Sequence, residues 1–139
     1  MTLNYHNKHL TISTDKSKLD IELIQQNLDS TYWAKGISKE TIQKSIDNCL
    51  SYGIYENDKQ VGFARVITDY STFAYLSDVF IAPTHQKLGL SIWLIESILK
   101  HPDLQSLRRF VLLTKDAHEL YKKFGFEKPK HPEEFMERT

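Results

Sequence analysis

One segment of the chain gathers residue types that can hold an anion. The β-rich run Asp78-Val79-Phe80-Ile81 passes through Ala82-Pro83-Thr84-His85 into Gln86-Lys87-Leu88-Gly89-Leu90-Ser91, where an apolar helical pattern begins. Backbone N–H groups at a helix start have no intrahelical acceptor, and the helix dipole places positive potential behind them. Small residues such as Gly89 and Ser91 let a phosphate approach the backbone closely. The segment is not a Walker loop, because no Gly-Lys-Ser/Thr follows a leading glycine. It is not a dinucleotide fingerprint either, since it holds a single glycine.

Other reactive residue types are scattered. The six histidines show neither His-Glu-x-x-His nor Cys/His spacing, so no metal site is expected. Cys49 is the single cysteine, which excludes an internal disulfide and fits a reducing compartment. Asp78 is the only acid in the run Thr72–Ile81.

The elements that must position these groups follow from periodicity. Residues 9–14 alternate like a short strand, and Ile21, Ile24 and Leu28 give a helix over 18–29. Ser38 caps a second helix with Ile42, Ile46, Cys49 and Leu50 on one face. Tyr32-Trp33-Ala34-Lys35-Gly36 is the loop between the two helices. Strands at 52–56 and 60–68 form a hairpin across Asn57-Asp58-Lys59, and a third strand covers 72–81. A helix over 88–100 follows, then a buried strand at 110–114. Asp116 and Glu119 open a final helix, which Gly125 ends. The tail beyond Phe126 holds one weak strand. The order β-α-α-β-β-β-α-β-α-β predicts an α+β or mixed α/β fold in a single domain over 1–139, with helices covering the sheet.

Composition narrows the partners. With 139 residues, 18 Lys+Arg against 18 Asp+Glu, and 40% hydrophobic residues, the chain has the profile of a soluble globular domain. Zero formal charge offers no excess of cations for neutralising nucleic-acid phosphates. No run reaches the roughly 18–20 apolar residues of a membrane span. The N-terminal residues lack the basic-then-apolar pattern of a signal peptide, and a cytoplasmic protein is expected.

Together, these motifs resemble those of the GNAT acetyltransferase superfamily. Gln86-Lys87-Leu88-Gly89-Leu90-Ser91 is similar to its Q/R-x-x-G-x-G/A signature, and Asp78-Val79-Phe80-Ile81 to its fourth strand. Ala117-His118-Glu119-Leu120-Tyr121-Lys122-Lys123-Phe124-Gly125-Phe126 resembles its A-x-x-L-Y-x-x-x-G-F helix. The resemblance covers nearly the whole chain and is sharpest over 76–126. It implies a twisted mixed sheet whose two parallel strands splay to admit the pantetheine arm of acetyl-CoA. It also implies acetyl transfer to an amine by direct attack in a ternary complex. The strand Val79-Phe80-Ile81 would bind the pantetheine arm, with backbone bonds from Val79 and Ile81. The backbone of Gln86 to Ser91 would hold the pyrophosphate. Ala117 would line the cofactor site, and Tyr121 would protonate the departing thiolate.

Two positions depart from the pattern. Ser91 replaces the usual final Gly or Ala, and Thr114 stands where many members have Asn. For the general base, Asp78, Tyr75, His118 and water all stay open. A regular strand would turn Tyr75 and Ser77 to one face and Asp78 to the other, and a bulge would re-aim them. Tyr32, Trp33, Lys35, Arg65, Tyr70 and Tyr75 are candidates for the acceptor pocket, with Arg65 suited to a carboxylate. The acceptor is expected to be a small-molecule amine or a peptide, and the protein a monomer or homodimer. The competing class is a catalytically silent CoA-binding sensor or structural module.

Overall fold

The computed structural model describes residues 1–139. Six strands form one mixed sheet in the order of their sequence: β1 (Asn4–Asn7), β2 (Leu10–Ser13), β3 (Leu50–Glu56), β4 (Lys59–Thr68), β5 (Phe73–Ile81) and β6 (Arg109–Leu112). Neighbours pair antiparallel up to β5, and β5 pairs parallel with β6. The helices are α1 (Ile21–Asp29), α2 (Lys39–Asp47), α3 (Leu90–Leu99) and α4 (His118–Lys122). None is long and apolar enough to cross a membrane.

Each sheet face buries its own core. Ile12, Tyr52, Ile54, Ala64, Val66 and Leu76 pack against Leu90, Leu94, Ile95 and Ile98 of α3. On the opposite face Phe63 meets Ile24 and Leu28 of α1 and Ile42 and Ile46 of α2. The two apolar stripes of α1 and α2 are the ones periodicity predicts. Asp20 caps α1 by accepting from the Leu23 N–H at 3.1 Å, and Ser38 caps α2 by accepting from the Thr41 N–H at 3.2 Å.

The structure corrects several element boundaries. The helix expected over 18–29 begins at Ile21, after a 3₁₀ turn at Lys16–Lys18. Cys49 and Leu50 do not continue α2. The helix stops at Asp47, and Leu50 opens β3, where burial by the sheet explains the same apolar run. Asp116 does not open α4. Ala117 stands at its N-cap, and its N–H donates to Thr114 Oγ1 at 3.1 Å. β1 adds a strand outside the expected order. The tail forms no strand: it holds a 3₁₀ turn at Pro132–Glu134, and Pro129 and Pro132 supply no N–H for a ladder.

Two features of β5 decide where a site can form. Its pairing with β6 runs from Phe73↔Arg109 to Leu76↔Leu112 and then stops, while β5 continues to Ile81. The two parallel strands therefore splay. On the other edge Arg65 pairs with Ser77 and Phe63 with Phe80, so β5 has one residue more than β4 between those pairs. The bulge includes Asp78, at φ +55°. A left-handed aspartate is uncommon and costs on the order of 1–2 kcal/mol, so packing and hydrogen bonds must hold it.

Candidate active site

The splay opens into a cleft of about 680 Å³ between β5, the start of α3, and α4. That volume lies within the usual range for small-molecule sites. Of the residues expected to bind the cofactor, Val79 to Ile81, Gln86, Lys87, Gly89 to Ser91, Ala117 and Tyr121 line it. Leu88 does not. It points to solvent at 63% exposure.

One wall is the free edge of β5. Beyond Leu76 no strand pairs with it on the β6 side, so an extended ligand can lie along that edge. Phe80 also packs on Phe63 at 5.8 Å between ring centres, tying the edge to the α1/α2 core. The second wall is the turn into α3. None of the backbone N–H groups from Gln86 to Ser91 has a protein acceptor. Lys87 at φ +65° and Gly89 at φ +76° bend this run into a concave row of donors, the geometry that binds anions. Gly89 serves as the N-cap of α3 without a side-chain bond. The Gln86 side chain donates to the Ile81 carbonyl at 3.1 Å and fixes the turn to the end of β5.

Tyr121 forms the third side. It is 8% exposed, and Phe126 packs edge-on against its ring at 5.9 Å. Burial pushes its phenol above the ordinary value of 10.0, so the group stays protonated at neutral pH. Gly125, at φ +89°, reverses the chain so that the Phe126 N–H returns to the Tyr121 carbonyl at 3.2 Å.

Asp78 lies at the cleft but is closely engaged. One carboxylate oxygen accepts from Arg65 Nε at 2.9 Å and the other from Trp33 Nε1 at 3.0 Å. Arg65 also contacts Cys49 Sγ at 3.4 Å. The sequence reading treats Arg65 as a carboxylate ligand, whereas the structure commits it to Asp78. Tyr32, Trp33, Tyr75 and Asp78 line the cleft together. Tyr70, Lys35 and His118 are not part of its lining. Burial, and then the nearby Asp78 charge, raise the Tyr75 phenol above 10.0.

Three contacts escape sequence reasoning. His85, on the cleft wall, meets Glu56 at 3.1 Å, and His9 meets the same carboxylate oxygen at 3.1 Å. The His85 hydrogen bond is the largest of the influences that hold the Glu56 carboxyl below 4.5. Lys115 Nζ stands 5.3 Å from the centre of the Tyr32 ring. All three contacts join residues far apart in the chain, so no local pattern announces them.

A mixed sheet that opens between parallel strands onto a donor-lined helix start, with a buried tyrosine opposite, is the arrangement that the resemblance to acetyltransferases implies. Residues 47–128 match the model of the Acetyltransferase (GNAT) domain. A crystal structure of a protein assigned to the GNAT acetyltransferases, from Xanthomonas campestris pv. campestris, is 49% identical. It superposes with a TM-score of 0.92 over 96% of this chain and 95% of that one. A Gibberella zeae protein named as an acetyltransferase is 31% identical, over 81% of this chain and 75% of its own length. A GNAT acetyltransferase from Elizabethkingia anophelis, solved with acetyl-CoA bound, shares the fold at 18% identity. Its TM-score is 0.66 over 87% of this chain and 78% of that one. The chain belongs to the GNAT acetyltransferase family.

Proposed function

We propose that the chain, as one domain over 1–139, moves an acetyl group from acetyl-CoA to an amine by direct attack in a ternary complex. The observation that carries this reading is the continuity of the splayed β5 edge with the unpaired N–H row at Gln86–Ser91. An extended amide-containing arm fits the first, and a pyrophosphate fits the second. The acetyl-CoA bound to the Elizabethkingia structure supports the same ligand here.

When bound, acetyl-CoA supplies a thioester whose carbonyl carbon accepts the amine. The chain's own residues do the rest. Backbone groups at Val79 to Ile81 align the pantetheine arm, and an N–H of this strand polarises the thioester carbonyl. Gln86 to Ser91 hold the phosphates by oriented dipoles, with Lys87 as the side-chain cation on that wall. Ala117 packs the arm from the α4 side. Tyr121 gives its proton to the departing sulfur while the carbon–nitrogen bond forms and the carbon–sulfur bond breaks. The proton shed by the amine restores the phenol through solvent.

Asp78 serves in this reading as an anchor. Its two oxygens already accept from Arg65 and Trp33, so the amine's proton leaves through the open mouth to water. Cys49, buried beside Arg65, takes no part in the chemistry. A free buried thiol suits a cytoplasmic setting.

The test combines calorimetric titration of acetyl-CoA with thiol release against a panel of amines. Binding together with amine-dependent thiol release supports transfer. Binding with no turnover of any amine would instead favour a CoA-binding sensor.

A further inference from the structure

The cleft mouth carries two rings that no core requires. Tyr32 is 63% exposed and Trp33 49% exposed, yet both line the cleft from the loop between α1 and α2. They meet edge to face at 5.1 Å with planes 84° apart. Such an arrangement would be loose on a free loop, but here it is anchored. Trp33 Nε1 donates to Asp78, which is 8% exposed and ion-paired with Arg65. A buried ion pair in the sheet thus fixes an exposed aromatic platform beside the splay.

The platform already holds a cation. Lys115 reaches across from the loop after β6, on the opposite wall of the splay, and its ammonium stands 5.3 Å from the Tyr32 ring centre. A cation within about 6 Å of an aromatic centroid is attracted by the ring quadrupole. Among the charged side chains of the cleft lining, the carboxylates Asp78 and Asp116 attract a visiting ammonium, against one lysine, Lys87, on the wall at the start of α3. Arg65, the guanidinium behind the platform, is taken up by Asp78 and Cys49 and offers nothing to a substrate carboxylate.

We propose that Tyr32 and Trp33 form the docking platform for a primary alkylammonium acceptor, and that Lys115 occupies this position until the acceptor displaces it. The proposal rests on the acetyltransferase reading of the cleft and names the acceptor class for that same site. The shared chemistry is a primary ammonium on a flexible alkyl chain, as in a linear polyamine or a lysine side chain. An acceptor docked this way enters charged and sheds a proton before its nitrogen attacks.

The test uses the full chain with 1,5-diaminopentane, Nα-acetyl-lysine amide, aniline and glycine as probes. Thiol release should favour the first two, and the better of those tells polyamine from lysine side chain. Tyr32→Ala should raise the acceptor KM roughly threefold to thirtyfold, the range expected for a lost cation–π contact, with the acetyl-CoA KM unchanged. Lys115→Met should lower the acceptor KM, because the internal competitor is gone. A rise in acceptor KM with Lys115→Met would overturn the proposal, since the lysine would then be gripping the acceptor. Preferential use of aniline or glycine would overturn it too. Calorimetric titration of 1,5-diaminopentane into the CoA-loaded protein keeps the test independent of turnover. Saturable binding lost in Tyr32→Ala supports the platform even if no amine is acetylated. No binding refutes it, even if transfer to some other amine is found.

Discussion

Leu76 and Leu112 are the last residues that β5 and β6 share: C-terminal to this pair, β5 runs on to Ile81 without β6. The separation leaves one strand edge unpaired beside the start of α3. A sheet whose parallel strands kept pairing would bury that edge and close the cleft.

Gly89 tests the second wall. At φ +76° it sits where an L-residue is strained, and a Cβ there would meet no atom within 4 Å. The cost of Gly89→Ala is therefore conformational, about 1–2 kcal/mol. Thermal unfolding should show that loss, and acetyl-CoA titration should show weaker binding because the row of N–H donors turns. Full stability with unchanged binding would mean that this turn does not shape the phosphate site.

Much of this arrangement is legible in the sequence. The apolar stripes of α1, α2 and α3 have the right period, and Gly89 with Ser91 marks the turn where the unpaired N–H row opens α3. The left-handed backbone at Asp78 is another matter, because a bulge depends on pairing with β4 and not on local residue type. β1 was equally hidden. Asn4-Tyr5-His6-Asn7 offers one apolar residue, and its turn places Lys8 at φ +58°, without the glycine or asparagine that marks a tight hairpin. The Cys49-Leu50 run shows a further limit, since a buried strand start and a helix face look alike in a short apolar stretch. Long-range contacts such as Arg65 with Asp78 or Lys115 with Tyr32 leave no local trace.

The Arg65–Asp78 pair should behave as a buried ion pair. Their side chains are 16% and 7% exposed, so losing one partner strands the other away from water. Arg65→Met alone should cost about 3–5 kcal/mol. The double variant Arg65→Met/Asp78→Asn should recover part of that loss, as read by denaturant unfolding in a double-mutant cycle. Additive losses would show that the pair is not coupled. If Asp78 is an anchor, Asp78→Asn should raise the acceptor KM through Trp33 more than it lowers kcat.

His101 gives the fold a defined acid sensitivity. It is 3% exposed, its Nδ1 accepts from the Asp103 N–H at 3.1 Å, and burial holds its pKa below 6.5. A folded pKa below the unfolded one favours the neutral ring in the native state. The contribution is present above pH 6.5 and is lost as pH falls through the depressed folded value. Unfolding midpoints should drop over that window, and His101→Gln should flatten the drop. An unchanged slope in the variant would assign the acid sensitivity to other groups.

The pH profile follows from Tyr121. Its phenol is raised above 10.0 by burial, and alkylammonium groups titrate near 10.4. For an alkylamine acceptor, kcat/KM should climb through pH 9 as the free amine accumulates, with no alkaline fall below pH 10. A descending limb at pH 8–9 would point to a different proton donor.

The most direct measurement compares Tyr121→Phe with the native chain in two assays, thiol release with an amine acceptor and calorimetric binding of acetyl-CoA. The phenylalanine keeps the ring against Phe126 and removes only the hydroxyl. Turnover should fall by roughly 10²–10⁴-fold, the usual contribution of a general acid, while acetyl-CoA affinity stays the same. Undiminished turnover, or a loss of turnover that tracks a loss of binding, would contradict the assignment of Tyr121 as the proton donor.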